Sequence, residues 1–392
     1  MATRRSALVT IGTVLLSSGC LRLAASNENR PTGTGQSVET ETDTSTPESE
    51  TETEEEGDTS GATDLSLQWS RDEIAAIESR ITTAEGEVYV SNPTSIDQIN
   101  PATGDSEWSY TSDEEANEDY IPGIAFDSEY VFANTGQALH KLSRATGDVE
   151  FSQTVDDALL IPQTVTSGGI VVCTSDYHAT VLRGVNAEDG SVEWTISESI
   201  TDPIIDVESV EEVAYIGTTS NLYTVDTDTG EGFEQISNYP PTDIHISADG
   251  DWLYYTIFAG FEAMSLSSGG SDWSLDRLST VESSIYDGDN SVYVLTDLDF
   301  VRINTDTEES EWSLSLSTEP AGRFAVHRGS AWIPLDDGTL IAVDIEDGSI
   351  LSEQLLAENS IENIAATGNH VIVGDGSSVS GFEISTDQNS GS

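Results

Sequence analysis

VYVSNPTSIDQINPATGDSEWSY, residues 88–110, holds one unit of this protein's plan. An apolar run opens it, a polar turn follows, and a second run ends at Asn100. The turn Pro101-Ala102-Thr103-Gly104 then leads to a third run around Trp108. Each run is short, carries apolar residues and is bounded by turn residues, so each reads as a strand. The Thr-Gly pair supplies the left-handed residue that such a hairpin needs.

The phrase returns along the chain. Clear copies are IVVCTSDYHATVLRGVNAEDGSVEWTIS (170–197), AYIGTTSNLYTVDTDTGEGFEQIS (214–237) and VYVLTDLDFVRINTDTEESEWSLSL (292–316). A column of large apolar residues marks the period: Trp69, Trp108, Phe151, Trp194, Phe233, Trp273, Trp312 and Leu351. Its successive spacings are 39, 43, 43, 39, 40, 39 and 39 residues. A second column, Pro122, Pro162, Pro203, Pro241 and Pro320, precedes further short runs such as Ile204-Ile205-Asp206-Val207. Those runs supply a fourth strand. Four strands in a period of about 40 residues describe the blade of a propeller. A lone four-stranded sheet has two bare faces, and stacking blades around an axis covers both.

Counting gives the closure. Eight column strands begin with Leu65-Ser66-Leu67-Gln68-Trp69, and eight third strands end with residues 378–384. The first column strand lacks partners before it, and the last third strand lacks one after it. Strand 65–69 is therefore expected to complete the blade built by residues 360–386. The expectation is an all-β, eight-bladed β-propeller of four-stranded antiparallel blades. Seven blades is the alternative, if one divergent repeat collapses. The propeller spans 65–386, with a tail at 387–392.

The repeats resemble the pyrroloquinoline-quinone-type (PQQ-like) propeller repeat. Leu340-Ile341-Ala342-Val343-Asp344 followed by Asp347-Gly348, and Leu222-Tyr223-Thr224-Val225-Asp226 followed by Thr229-Gly230, carry the resemblance. That superfamily includes the lipoprotein of the outer-membrane barrel-assembly machinery and the quinoprotein dehydrogenases. The resemblance implies the fold; it does not by itself imply an activity.

The 392 residues carry 72 acids against 13 bases, a net charge of −59. Residues 65–392 alone hold 60 acids and nine bases, a net charge of −51, so the excess belongs to the propeller. Such a body repels nucleic acid and anionic membrane surfaces. Lys141 is the single lysine. In molar salt charges are screened within about 3 Å, so dense carboxylates cost little there. The composition resembles that of proteins from halophilic archaea.

The N-terminus reads as an address. Arg4 and Arg5 precede a mostly apolar run, Ser6 to Ser18, and small residues lead to Cys20. The run is too short for a comfortable membrane span. The arrangement resembles a twin-arginine export signal joined to a lipobox. It implies that residues 1–19 are a signal peptide and that Cys20 carries lipid. The chain would then be anchored to the cell membrane on its extracellular side. Cys173 would remain alone, without an internal disulfide. Residues 20–64 read as a Thr-, Ser- and Glu-rich tether that buries too little apolar surface to fold. A coil of this length spans on the order of 35 Å.

No catalytic constellation stands out. His140, His178, His245, His327 and His370 lack metal-ligand spacing. His245 and His327 fall on innermost-strand candidates. Asp226-Thr227-Asp228-Thr229-Gly230 opens like a calcium loop, but the twelfth position is Ser237 instead of an acid. Asp287-Gly288-Asp289-Asn290 and Asp336-Asp337-Gly338 follow turn chemistry. There is no Gly-x-Ser-x-Gly elbow, no phosphate-binding Gly-x-x-x-x-Gly-Lys and no adjacent cysteine pair. Cys173, in Ile170-Val171-Val172-Cys173, reads as a core thiol. The sequence thus leads to a non-catalytic scaffold that binds an extracellular protein or glycan, with no cofactor beyond loosely held cations. A quinone-dependent dehydrogenase and a solute-binding or sensing module are the alternatives.

Overall fold

The structure, a computed structural model, describes residues 63–72, 80–92, 94–112, 123–135, 138–154, 160–174, 180–197, 200–258, 260–267, 270–276 and 278–386. Arg4, Arg5, Cys20, the tether up to residue 62, the tail and His178 lie outside the described residues, while residues 63 and 64 of the expected tether belong to a strand.

Thirty-two strands form eight four-stranded antiparallel sheets. Blade I is Arg80–Ala84, Glu87–Ser91, Ser95–Ile99 and Ser106–Thr111, from the axis outward. Blades II to VII repeat that order with innermost strands Ile124–Phe126, Ile161–Val165, Ile204–Val210, Pro241–Ile246, Val281–Tyr286 and Ala325–His327. Blade VIII takes Asn363–Thr367, His370–Gly374 and Val379–Thr386 from the C-terminal end and Thr63–Arg71 from the other. Leu65 pairs with Ile384 and Trp69 with Gly381. The expected closure therefore holds, through a strand longer than 65–69. Pairing this strand covers an edge that would otherwise be open to another chain.

Burial explains why the four strands of a blade read differently. Second strands are buried nearly end to end, as in Ile170–Thr174 and Ser291–Thr296, and their sequences are continuous apolar runs. Outermost strands are half exposed, as in Val192–Ile196, and alternate with polar residues. Eight hydrophobic clusters fill the eight gaps between neighbouring blades, one to each gap. Between blades III and IV, for example, Val172, Leu182 and Trp194 meet Val207, Ile216 and Tyr223.

The tryptophan column is the joint between blades. The indoles of Trp69, Trp108, Trp194 and Trp312 lie under the turn between the third and outermost strands of the next blade. Trp69 Nε1 donates to Pro101 O at 2.9 Å, Trp108 to Arg144 O at 2.8 Å and Trp194 to Thr227 O at 2.6 Å. Trp312 does the same to Ile345 O at 3.3 Å. The glycine of that turn lies against the ring: a Cβ at Gly104 would come within 2.5 Å of Trp69, and one at Gly230 within 2.7 Å of Trp194. Both glycines also have positive φ, so the turn and the indole contact require the same residue.

Two members of the column differ. Glu234 is opposite Thr224, and Phe233 lies one residue before the strand Glu234–Ser237, stacked on Tyr223 at 4.7 Å. Ser352 is opposite Ala342, and Leu351 occupies the bulge beside it. The paired positions thus come 40 residues after Trp194 and Trp312, one further than a count of large apolar residues gives. Blade VII has a physical reason to lack the indole. Its neighbour, blade VIII, joins its last two strands from opposite parts of the chain, so no turn exists there for an indole to support.

One buried cation reinforces the joint between blades I and II. Arg144, 6% exposed, reaches Glu87 at 2.8 Å and Glu85 at 3.2 Å, and donates to Ala84 O and Asp127 O. Tyr89 Oη donates to the same Glu87 carboxylate at 2.6 Å. Burial, followed by the bond to Glu87, pushes the Tyr89 phenol well above its ordinary range.

Candidate functional site

Strands alternate in direction within each blade, so all eight innermost strands start at one end of the ring. Seven of them, all but that of blade IV, contribute to the lining of a cavity of about 450 Å³ on the axis. The charged lining residues are Arg80, Arg323, Glu282 and Glu362. We call this end the mouth. Thr63–Arg71 is an outermost strand, so it starts at the opposite end.

Innermost strands do not pair with one another, so their free N–H groups need acceptors. Acids of the preceding blade supply them. Asp206 Oδ2 accepts from Ile244 N at 2.8 Å, and Asp243 Oδ2 accepts from Ser284 N at 2.6 Å. Asp243 Oδ1 also accepts from Arg323 Nη2 at 2.9 Å, which links blade V to the strand leading into blade VII. These acids are buried wall elements with defined partners.

His245 lies in the same wall, with Nε2 2.9 Å from Ser284 Oγ. Burial pushes its pKa down to about 4, against the attraction of Asp243, while Arg323 acts in the same direction as burial. His327 Nε2 is 2.9 Å from Gly368 O, and His140 Nδ1 is 2.7 Å from Ser152 Oγ. The two innermost-strand histidines therefore each have a neighbour in the next blade. Among the described residues no group of three His, Cys, Asp or Glu side chains is placed to hold a metal ion. Cys173 is fully buried among Phe132, Leu139 and Val185, and that burial pushes its thiol far above the usual range.

The candidate calcium segments serve their own turns. Asp226 Oδ1 accepts from Thr229 Oγ1 at 2.7 Å and from Thr229 N at 2.9 Å, and those bonds hold its pKa below the ordinary value. Asp287 accepts from Asp289 N and Ser291 N, and Asp337 from Thr339 N.

The rim of the mouth carries what sequence reasoning missed. Tyr239, Phe258 and Leu298 are 57%, 69% and 57% exposed. Tyr239 lies on the connection into the innermost strand of blade V. Phe258 and Leu298 lie on the connections between second and third strands of blades V and VI. A signal was available: equivalent connections read Thr219-Ser220 in blade IV, Asp336-Asp337 in blade VII and Asp375-Gly376-Ser377 in blade VIII. Two large apolar residues at positions that blades IV, VII and VIII give to polar turns are out of pattern.

Fold and wall together define a closed, eight-bladed propeller of the PQQ-like class. A family model described as outer membrane protein assembly factor BamB matches residues 94–297 and 221–383, and the chain belongs to that family. Among solved structures it is similar to BamB from Moraxella catarrhalis, at 14% identity and a TM-score of 0.58, over 81% of this chain and 97% of that one. It is also similar to the computationally designed Ika8 protein, at 13% identity and a TM-score of 0.65, over 81% and 98%. A third neighbour is the quinohemoprotein alcohol dehydrogenase from Comamonas testosteroni, at 14% identity and a TM-score of 0.61, over 82% and 76%. At these identities the likeness is one of fold. No curated protein matches the chain.

Proposed function

We propose that this chain is a non-catalytic scaffold that binds another protein at the outer surface of a cell. The observation that carries the reading is the rim: large apolar side chains stand in solvent at the mouth, on a body of net charge −51. Exposed Phe and Tyr side chains bound by no fold requirement are typical of binding surfaces. Membership of the BamB family supports a protein partner in general. In this reading Arg4 and Arg5 direct export, and Cys20 holds the chain to the lipid bilayer. The mouth then lies at the end of the ring away from the strand where the tether arrives. Pure monomeric protein on repeated isolation at high salt, with no companion chain, counts against the scaffold. Loss of membrane association in Cys20→Ser tests the anchor.

The quinone reading meets a mismatch in the cavity. A quinone bearing several carboxylates would find two carboxylates for two guanidiniums there, and Arg323 already faces Asp243. The lining does not fit that group. Absorbance and dye-linked activity after adding pyrroloquinoline quinone and calcium decide the matter directly.

A further inference from the structure

We infer that the mouth rim of blades V and VI docks a basic amphipathic protein segment, one that sets apolar side chains among Lys or Arg. This rests on the scaffold reading and names the partner's chemistry.

Two backbone hydrogen bonds bring the apolar residues onto one surface. Val281 N donates to Phe258 O at 3.1 Å, and Asp297 N donates to Thr280 O at 2.9 Å. The connections carrying Phe258 and Leu298 therefore flank the same two residues, Thr280 and Val281. Those residues lead into the innermost strand of blade VI, where Val281 and Glu282 line the cavity. Tyr239 is two residues before Pro241, at the start of the neighbouring innermost strand. The patch thus runs from blade V to blade VI beside the mouth.

The fold does not ask for these side chains. Where other blades make the same connection, Asp375 accepts from Ser377 N and Ser378 N, and Asp337 accepts from Thr339 N. Polar residues build the turn without help from an apolar one. Phe258 and Leu298 point to a use outside the fold.

Charge selects the partner. The rim lies on a body of net charge −51, with Asp297 next to Leu298, while the cavity beside it is balanced, Arg80 and Arg323 against Glu282 and Glu362. An acidic or anionic partner would be repelled, which sets an anionic lipid surface aside. A purely basic partner would use the carboxylates and leave the aromatic surface in water. A segment carrying both features satisfies both, and its apolar contacts persist in salt that screens the charges.

The test titrates the full chain with a synthetic peptide of alternating Leu and Lys on a helical face, in about 2 M KCl, where charge steering is nearly screened. A Ser/Lys peptide of equal charge and neutral phosphatidylcholine vesicles are the comparison probes. Phe258→Ser/Leu298→Ser removes the rim, and Val149→Ser/Val192→Ser removes exposed apolar residues that start outermost strands at the opposite end. Thermal unfolding confirms that both variants fold. The expected result is binding of the Leu/Lys peptide that weakens about tenfold or more in the rim variant, as loss of two apolar anchors implies, and is unchanged in the other. Equal binding by the rim variant overturns the proposal, as does equal binding of the Ser/Lys peptide. Vesicle binding lost only in the rim variant also overturns it, in favour of a lipid surface. A cellular partner that still binds the rim variant would sink this inference and leave the scaffold standing.

Discussion

Glu308 holds a φ of 61° at the turn position where, among the described residues, five other blades place a glycine of positive φ. An L side chain there costs about 1–3 kcal/mol, partly offset by the extra chain entropy glycine brings. Glu308→Gly is therefore expected to stabilise the ring by about 1 kcal/mol, seen as a rise of about 1–2 °C in Tm. Trp194 makes the opposite prediction. Trp194→Ala opens the joint between blades III and IV and strands Thr227 O, for an expected loss of about 3–5 kcal/mol. Ser352→Ala, at the matching position of blade VII, is expected to change stability by less than about 0.5 kcal/mol. Comparable losses at the two sites would refute the account of the column. His245 sets an acid limb. Its folded pKa of about 4 lies below the ordinary 6.5. The unfolded chain therefore binds the extra proton between those values, and stability falls as pH drops through that window. His245→Gln is expected to show a shallower fall in Tm from neutral pH to the lower end of that window than the parent does.

Outermost strands show how the elements manage their exposed edges. Glu107, Glu150, Glu193 and Glu311 sit at bulges immediately before the column residue. Turn residues hold several of them: Asn100 Nδ2 donates to Glu107 at 2.9 Å and Asn304 Nδ2 to Glu311 at 2.8 Å. A charge on a kinked edge strand discourages pairing with another sheet. These bulges also explain which parts of the repeat were legible. Trp69, Trp108, Trp194 and Trp312 announce themselves because four joints use the same indole to hold the next blade's turn, so the period reads directly. Phe233 and Leu351 mislead by one residue, because strand register, not residue type, defines the column. The closing strand was legible by counting unmatched strands. Its importance can be tested by removing residues 1–72, which deletes Trp69 and bares Val379–Thr386. That deletion is expected to cost more than the Trp69 contribution of about 3–5 kcal/mol. Fusing residues 63–72 after residue 386 of the shortened chain should restore most of the loss.

At the scale of the whole molecule, charge and function meet. The wall acids Asp206 and Asp243 were visible as residues but not as partners of Ile244 and Ser284, because those contacts join different repeats. The rim was hidden for a related reason. Aligned repeats show Phe258 and Leu298 as out of pattern, but only the closed ring brings them and Tyr239 beside one mouth. The net charge of −51 over residues 65–392 repels itself when unscreened. Tm is therefore expected to be higher in about 3 M KCl than in about 0.1 M, and an equal or lower value would remove salt adaptation from the account. In the proposed function the ring works by holding another protein at its mouth. Photo-crosslinking on intact cells, with the reactive group placed at Phe258 and, separately, at Val192, tests it most directly. One recurrent protein adduct is expected at Phe258 and none at Val192. Absence of an adduct at Phe258, or the same adducts at both positions, would contradict it.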